Sequence, residues 1–174
     1  MGQQGKRKIF KNRITLDDYF LKIALVVGER STCLRHNVGA VAVRDKYILS
    51  TGYNGAPRNT GHCIELGCLR DKLKITSGTQ QQICRAVHAE QNVIVQASLH
   101  GVSLEGATIY CTHTPCIICA KMIVNAGAVK FVTFSDYNDL EFLRLFKEAG
   151  IKSIKLPKPS NLISELERKM IFEN

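Results

Sequence analysis

No stretch of this 174-residue sequence carries the roughly 18 uninterrupted apolar residues that a membrane-spanning helix needs, which excludes such a helix. The segment from Met1 to Arg13 is polar and basic and lacks the apolar block of a secretory signal, so the cytoplasm is the expected location. Internal repeats and low-complexity tracts are missing as well, which removes solenoids and disordered linkers from consideration. Acid is in short supply: 15 Asp and Glu stand against 24 Lys and Arg, a formal net charge of +9 that invites an anionic partner. Lys6, Arg7, Lys8, Lys11 and Arg13 supply five of those positive charges, in a segment that reads as a solvated basic arm. A grip on nucleic acid is the other reading, and a small phosphorylated substrate also benefits from a positive field.

What is present is enough for one globular domain. Hydrophobic residues make up 45% of the chain and charged residues 22%, a balance that disordered proteins do not have. The expected layout is a basic N-terminal arm over residues 1–14 and a single domain over 15–174.

Thr15 can cap a helix, with Asp17 and Asp18 well placed in its first turn. Leu16, Tyr19, Phe20, Ile23, Ala24 and Val27 then recur at helical spacing. The apolar run Val38 to Val43 reads as a buried strand, and Tyr47 to Gly52 returns as its hairpin partner. From Tyr53 to Gln82 the periodicity dissolves into a glycine-punctuated connection, and a connection of that length in a compact domain is usually functional. Helical spacing resumes from Val87 to Leu99. Strands at Ala107–Thr112, Val129–Phe134 and Ile151–Leu156 then alternate with helices at Cys116–Asn125 and Asp139–Ala149. A last helix is expected from Ser160 to Ile171. Strands alternating with helices predict a largely parallel sheet in an α/β fold, with the opening hairpin antiparallel.

Seven cysteines in a reducing compartment point to metal, catalysis or core rather than disulfides. Two motifs decide among these. His88-Ala89-Glu90 opens one helix, and Pro115-Cys116-Ile117-Ile118-Cys119 opens another. Cys116 and Cys119 are three apart, so both can grip one ion from a helix start, where the thiolate is favoured. With His88 they make three protein ligands, which leaves a fourth tetrahedral position for water, as in catalytic zinc sites. Glu90 is too close to His88 to serve comfortably as a co-ligand but is placed to move that water's proton. His-x-Glu followed by Pro-Cys-x-x-Cys is the pattern of zinc-dependent deaminases.

On these motifs, with Val38-Gly39-Ala40-Val41, Gly52-Tyr53-Asn54-Gly55-Ala56-Pro57 and His88-Ala89-Glu90-Gln91-Asn92, the chain resembles the cytidine and deoxycytidylate deaminase family. Within it the dCMP deaminases, including the bacterial competence-operon type, are most similar. The resemblance implies a three-layer α/β/α fold around a five-stranded mixed sheet, with its last strands parallel. It also implies hydrolytic deamination of dCMP to dUMP in a homo-oligomer, often a hexamer, regulated by dCTP with Mg²⁺ and by dTTP. Ala89, Asn54 and Tyr137 match substrate-contacting positions of the family, and Arg35 is a candidate for the 5′-phosphate because guanidinium suits bidentate phosphate contacts. An ordinary turn at Asn54-Gly55, a loop tyrosine at Tyr137 and a surface arginine at Arg35 remain open readings.

Cys33, Cys63, Cys68 and Cys84 fall outside the catalytic set, and four thiolates on a second, structural zinc would fasten the glycine-rich connection. Some family members carry a second zinc at places matching Cys33 and Cys63. Gly78 and Ala86 stand where the phage pattern has its other two ligands, so Cys68 and Cys84 would have to substitute, or His62 for one of them. Buried free thiols are the alternative, and plain core is the expectation for Cys111. Two further functions stay open: a nucleic-acid deaminase such as a tRNA adenosine deaminase, which would use the basic charge, and an inactive zinc-stapled module.

Overall fold

A computed structural model describes residues 13–135 and 141–159. The basic arm up to Asn12, Tyr137 and the expected C-terminal helix lie outside the described residues. Among the described residues no helix is long and apolar enough to cross a membrane.

Helix α1 (Leu16–Gly28) begins as its cap dictates, with the Asp18 amide donating to Thr15 Oγ1 at 3.1 Å. Strands β1 (Gly39–Arg44) and β2 (Tyr47–Tyr53) form the hairpin. Asp45 and Lys46 turn it with φ of 52° and 70°, the left-handed pair that suits the twist of a two-residue hairpin. The connection after β2 is less shapeless than its composition predicts. It holds two single-turn helices, α2 (Cys63–Leu66) and α3 (Leu69–Lys72), and a 3₁₀ turn at Gln81–Ile83. Helix α4 (Ala89–Leu99) leads to β3 (Thr108–Cys111), α5 (Ile117–Asn125), β4 (Lys130–Thr133), α6 (Glu141–Glu148) and β5 (Lys152–Lys155).

The five strands lie in the order β2-β1-β3-β4-β5. β1 runs antiparallel to both neighbours, while β3, β4 and β5 are parallel and joined by helical crossovers. Burial on both faces explains why the β1 sequence is apolar without alternation. Ala40 and Ala42 face a core built with Val93, Ala97, Ile123, Phe131, Phe142 and Phe146, beneath α4, α5 and α6. Val41 and Val43 face the opposite core, with Phe20, Leu21 and Ala24 of α1. Cys111 is fully buried in the first of these cores, as expected. Asp17 ties α1 to the sheet by accepting from Tyr110 Oη at 2.7 Å and from Lys130 Nζ at 2.9 Å.

Gly52 sets how closely β2 approaches α4. A Cβ there would run into the Ala89 carbonyl and stand 2.5 Å from the Val93 nitrogen, both helix backbone that no rotamer change can move aside. Gly52→Ala is therefore expected to destabilise the chain by about 1–3 kcal/mol. Thermal unfolding would show it as a fall of about 2–4 °C for each kcal/mol; an unchanged midpoint would mean that α4 does not rest on β2 as described.

Candidate active site

α4 and α5 each begin on a metal-competent side chain. His88 is the N-cap of α4, and its backbone amide donates to Gln91 Oε1 at 2.9 Å, which fixes the helix start. Cys116 is the N-cap of α5, and its Sγ accepts from the Cys119 amide at 3.5 Å. His88 Nδ1 lies 3.6 Å from Cys116 Sγ and 3.4 Å from Cys119 Sγ. Among the described residues this is the only group of three or more His, Cys, Asp or Glu whose ligand atoms all lie within 4.8 Å of one another.

Those separations fit zinc. A nitrogen at about 2.0–2.1 Å and a sulfur at about 2.3 Å on a tetrahedral ion stand about 3.6 Å apart. Two thiolates and an imidazole are also a donor set that zinc accepts, and three protein donors leave one position open. The electrostatics agree. The Cys119 thiol hydrogen bond, the His88 ring and the Cys119 amide together hold the Cys116 thiol well below its usual range. Cys119 is pushed up by that same bond to Cys116 and by its burial. Two thiols this close cannot both ionise without a cation between them. Burial works to lower the His88 pKa, but the Cys116 bond and the Glu90 charge outweigh it and raise the ring.

Glu90, in the first turn of α4, is only 4% exposed. Burial pushes its carboxyl up to about 7, against the opposing pull of His88. A carboxyl balanced near neutrality, beside an incomplete ligand set, is suited to take a proton and return it.

One pocket gathers most of the residues singled out from sequence: His88, Glu90, Ala89, Asn54, Arg35 and Cys116. Cys33, Cys63, Cys68 and Cys84 line it too. Burial raises the Cys63 thiol, and its neighbours Cys33, Cys84 and Cys68 raise it further. Cys33 Sγ accepts from the Arg35 amide at 3.4 Å. The four sulfurs share the pocket but, unlike the His88 set, no three of them close to within 4.8 Å. Asn54 is turned toward the chain: Nδ2 donates to the His36 carbonyl at 2.8 Å, and Oδ1 accepts from the Val38 amide at 2.9 Å. It braces the entry to β1 at the pocket wall. Arg35 is similarly engaged, with Nε and Nη2 on Asp71 Oδ1 at 2.8 and 2.6 Å and Nη2 on the Ile75 carbonyl at 2.8 Å.

Sequence reasoning missed four lining residues: His36, Arg70, His113 and Thr114. For His113 and Thr114 a signal existed, since they follow β3 directly and precede Pro115-Cys116, and ligands sit beyond the carboxyl ends of such strands. Arg70 and His36 carry no local signature.

Residues 14–135 match the family model described as the cytidine and deoxycytidylate deaminase zinc-binding region. ComE operon protein 2 of Bacillus subtilis is 39% identical over 140 residues, covering 80% of this chain and 70% of that protein. Deoxycytidylate deaminase of Schizosaccharomyces pombe is 34% identical over 152 residues, covering 87% of this chain; the chain spans about half that protein's length, 47%. Among solved structures, the dCMP deaminase of cyanophage S-TIM5 in complex with dCMP and dUMP superposes with a TM-score of 0.69 at 30% identity, covering 81% of this chain and 96% of that one.

Proposed function

This chain belongs to the cytidine and deoxycytidylate deaminase family, and from that membership we propose that it hydrolyses dCMP to dUMP and ammonia with the aid of zinc. The observation that carries the reading is the buried Glu90 carboxyl beside a converged set of three ligands. His88 Nδ1, Cys116 Sγ and Cys119 Sγ would hold the ion. When bound, zinc would lower the pKa of a water in its open position to about 7, which supplies the attacking oxygen at neutral pH.

The chain's own residues do the rest. The Glu90 carboxylate takes a proton from the attacking water and passes it to N3 of the pyrimidine as the C4–O bond forms. It then carries the second proton to the exocyclic amine, so that the C4–N bond breaks with loss of neutral ammonia. A carboxyl near neutrality gives and accepts protons in both half-steps at low cost. Ala89 and the Asn54 brace line the pocket as the wall against which the base and sugar rest, and the family resemblance assigns Tyr137 to the base.

The reading extends to a single catalytic domain over 15–174 preceded by a solvated arm, a homo-oligomeric cytoplasmic enzyme, and regulation by dCTP with Mg²⁺ and by dTTP. Cys33, Cys63, Cys68 and Cys84 would hold a second, structural zinc that draws their sulfurs together, a reading supported by their place in one pocket. The +9 charge keeps a nucleic-acid deaminase as the competing reading. Ammonia release from dCMP, CMP, deoxycytidine, cytosine, dCTP and a tRNA anticodon stem separates them. dCMP is expected to be fastest; equal rates for dCMP and deoxycytidine, or preference for the stem, would remove the proposal.

A further inference from the structure

Asparagine is a poor residue for the body of a helix, because its side-chain amide competes for backbone partners. Asn92 nevertheless stands in α4 just beyond Glu90, with its backbone amide donating to the His88 carbonyl at 3.0 Å. Its side chain leaves the helix. Nδ2 donates to the Tyr53 carbonyl at 2.7 Å, across 39 residues of chain. Tyr53 ends β2 and immediately precedes Asn54 and Gly55. The rest of that segment is tied down as well. The Asn54 amide donates to the Val38 carbonyl at 3.1 Å, and the Asn54 carbonyl accepts from Ser31 Oγ at 3.0 Å. Gly55 and Val87 exchange two backbone bonds, at 3.1 and 2.8 Å, in an isolated antiparallel bridge.

These bonds bracket the catalytic turn. Val87 precedes His88 and Asn92 follows Glu90, so residues 53–55 are fastened to the start of α4 on both sides of His88-Ala89-Glu90. Asn54 lines the pocket from one side, and Ala89 and Glu90 line it from the other. The Val87 bridge is made by backbone alone, whereas the Asn92 bond depends on one side chain. We propose that Asn92 is a positioning residue for the reaction. Its bond to the Tyr53 carbonyl sets the gap between the Asn54 wall and the Glu90 carboxyl, where the nucleotide lies. Asn92 does not line the pocket and acts through Asn54. The gap is worth fixing, since a misplacement of about 1 Å can cost a reaction about 10²-fold. This rests on the deaminase reading above and adds to it the residue that holds the wall in register with the proton carrier.

The test is kcat and KM for the zinc-loaded full chain, on whichever substrate of the panel above is fastest, with zinc content measured alongside. The chains compared are wild type, Asn92→Ala, Asn92→Asp, Asn54→Ala and the double variant Asn92→Ala with Asn54→Ala. Asn92→Ala is expected to raise KM about 10-fold at unchanged zinc content, as for loss of one hydrogen bond. Asn92→Asp keeps the size but sets an acceptor against the Tyr53 carbonyl, and should raise KM at least as much. KM is the informative quantity, because partial unfolding lowers the active fraction and with it kcat, but leaves KM alone. If Asn92 acts through Asn54, the double variant should show the KM of Asn54→Ala and no more. Wild-type KM in both Asn92 variants, or KM effects that multiply in the double variant, would overturn the assignment and leave Asn92 as a fastener of the fold. If Asn54→Ala does not fold, the two Asn92 variants decide. Because the substrate is taken from the panel, failure of dCMP leaves this test standing, and a normal KM in the Asn92 variants leaves the dCMP reading standing. A wild type that deaminates nothing in the panel would overturn both.

Discussion

Glu90→Gln should keep its metal and lose about 10²–10⁴-fold in kcat, the usual worth of a positioned acid–base group. The amide is nearly isosteric with the carboxyl, so the start of α4 and the position of His88 beside it should be preserved. What disappears is the capacity to hold and return a proton. The site offers no substitute: the Glu90 carboxyl is the buried acid of this pocket, poised near 7, while Asp71 is engaged by Arg35. The measurement is kcat on dCMP alongside zinc content by elemental analysis. Zinc retained with turnover within a few fold of wild type would take the proton relay away from Glu90.

Cys119→Ser should lose the catalytic ion and turnover together. Cys119 is fully buried at the start of α5, and its sulfur stands 3.4 Å from His88 Nδ1, so its loss takes away one of the three converged donors. A hydroxyl is a poor zinc donor and stays protonated at neutral pH. Without the ion a water keeps its pKa of about 15.7 instead of about 7, so dUMP formation should drop by at least about 10³-fold. Both effects follow from a single side chain, which makes them separable from the Glu90 effect: there zinc remains, here it goes. A Cys119→Ser chain that keeps the wild-type zinc content and near-normal turnover would refute the ligand set.

The contrast between the two motifs and the rest of the pocket shows what a sequence can carry. His88, Glu90, Cys116 and Cys119 were legible because each pair sits within a few residues, and a helix start converts that spacing directly into geometry. The apolar run of β1 and the alternation of strands with helices gave the layers in the same way, through local periodicity. Arg35 was legible only as a type of side chain. Its tie to Asp71 spans 36 residues of chain, and no spacing rule reports such a pairing. Asn54 reads as a turn or a ligand contact, yet its amide is bound to the backbone of His36 and Val38, because the entry to β1 leaves those groups needing partners. Arg70 reaches the pocket through the fold of a long connection whose short helices leave almost no periodic trace, and His36 reaches it from the irregular segment between α1 and β1. Tyr137 lies outside the described residues, and its role rests on the resemblance alone.

The most direct measurement is dUMP formation from dCMP by wild-type chain stripped of metal with a chelator and then reloaded with zinc. The stripped chain should be inactive, and turnover should return as zinc is restored. Undiminished dUMP formation by the stripped chain, or no recovery on reloading a chain shown to have refolded and to hold its zinc, would contradict an ion held by His88, Cys116 and Cys119 beside Glu90.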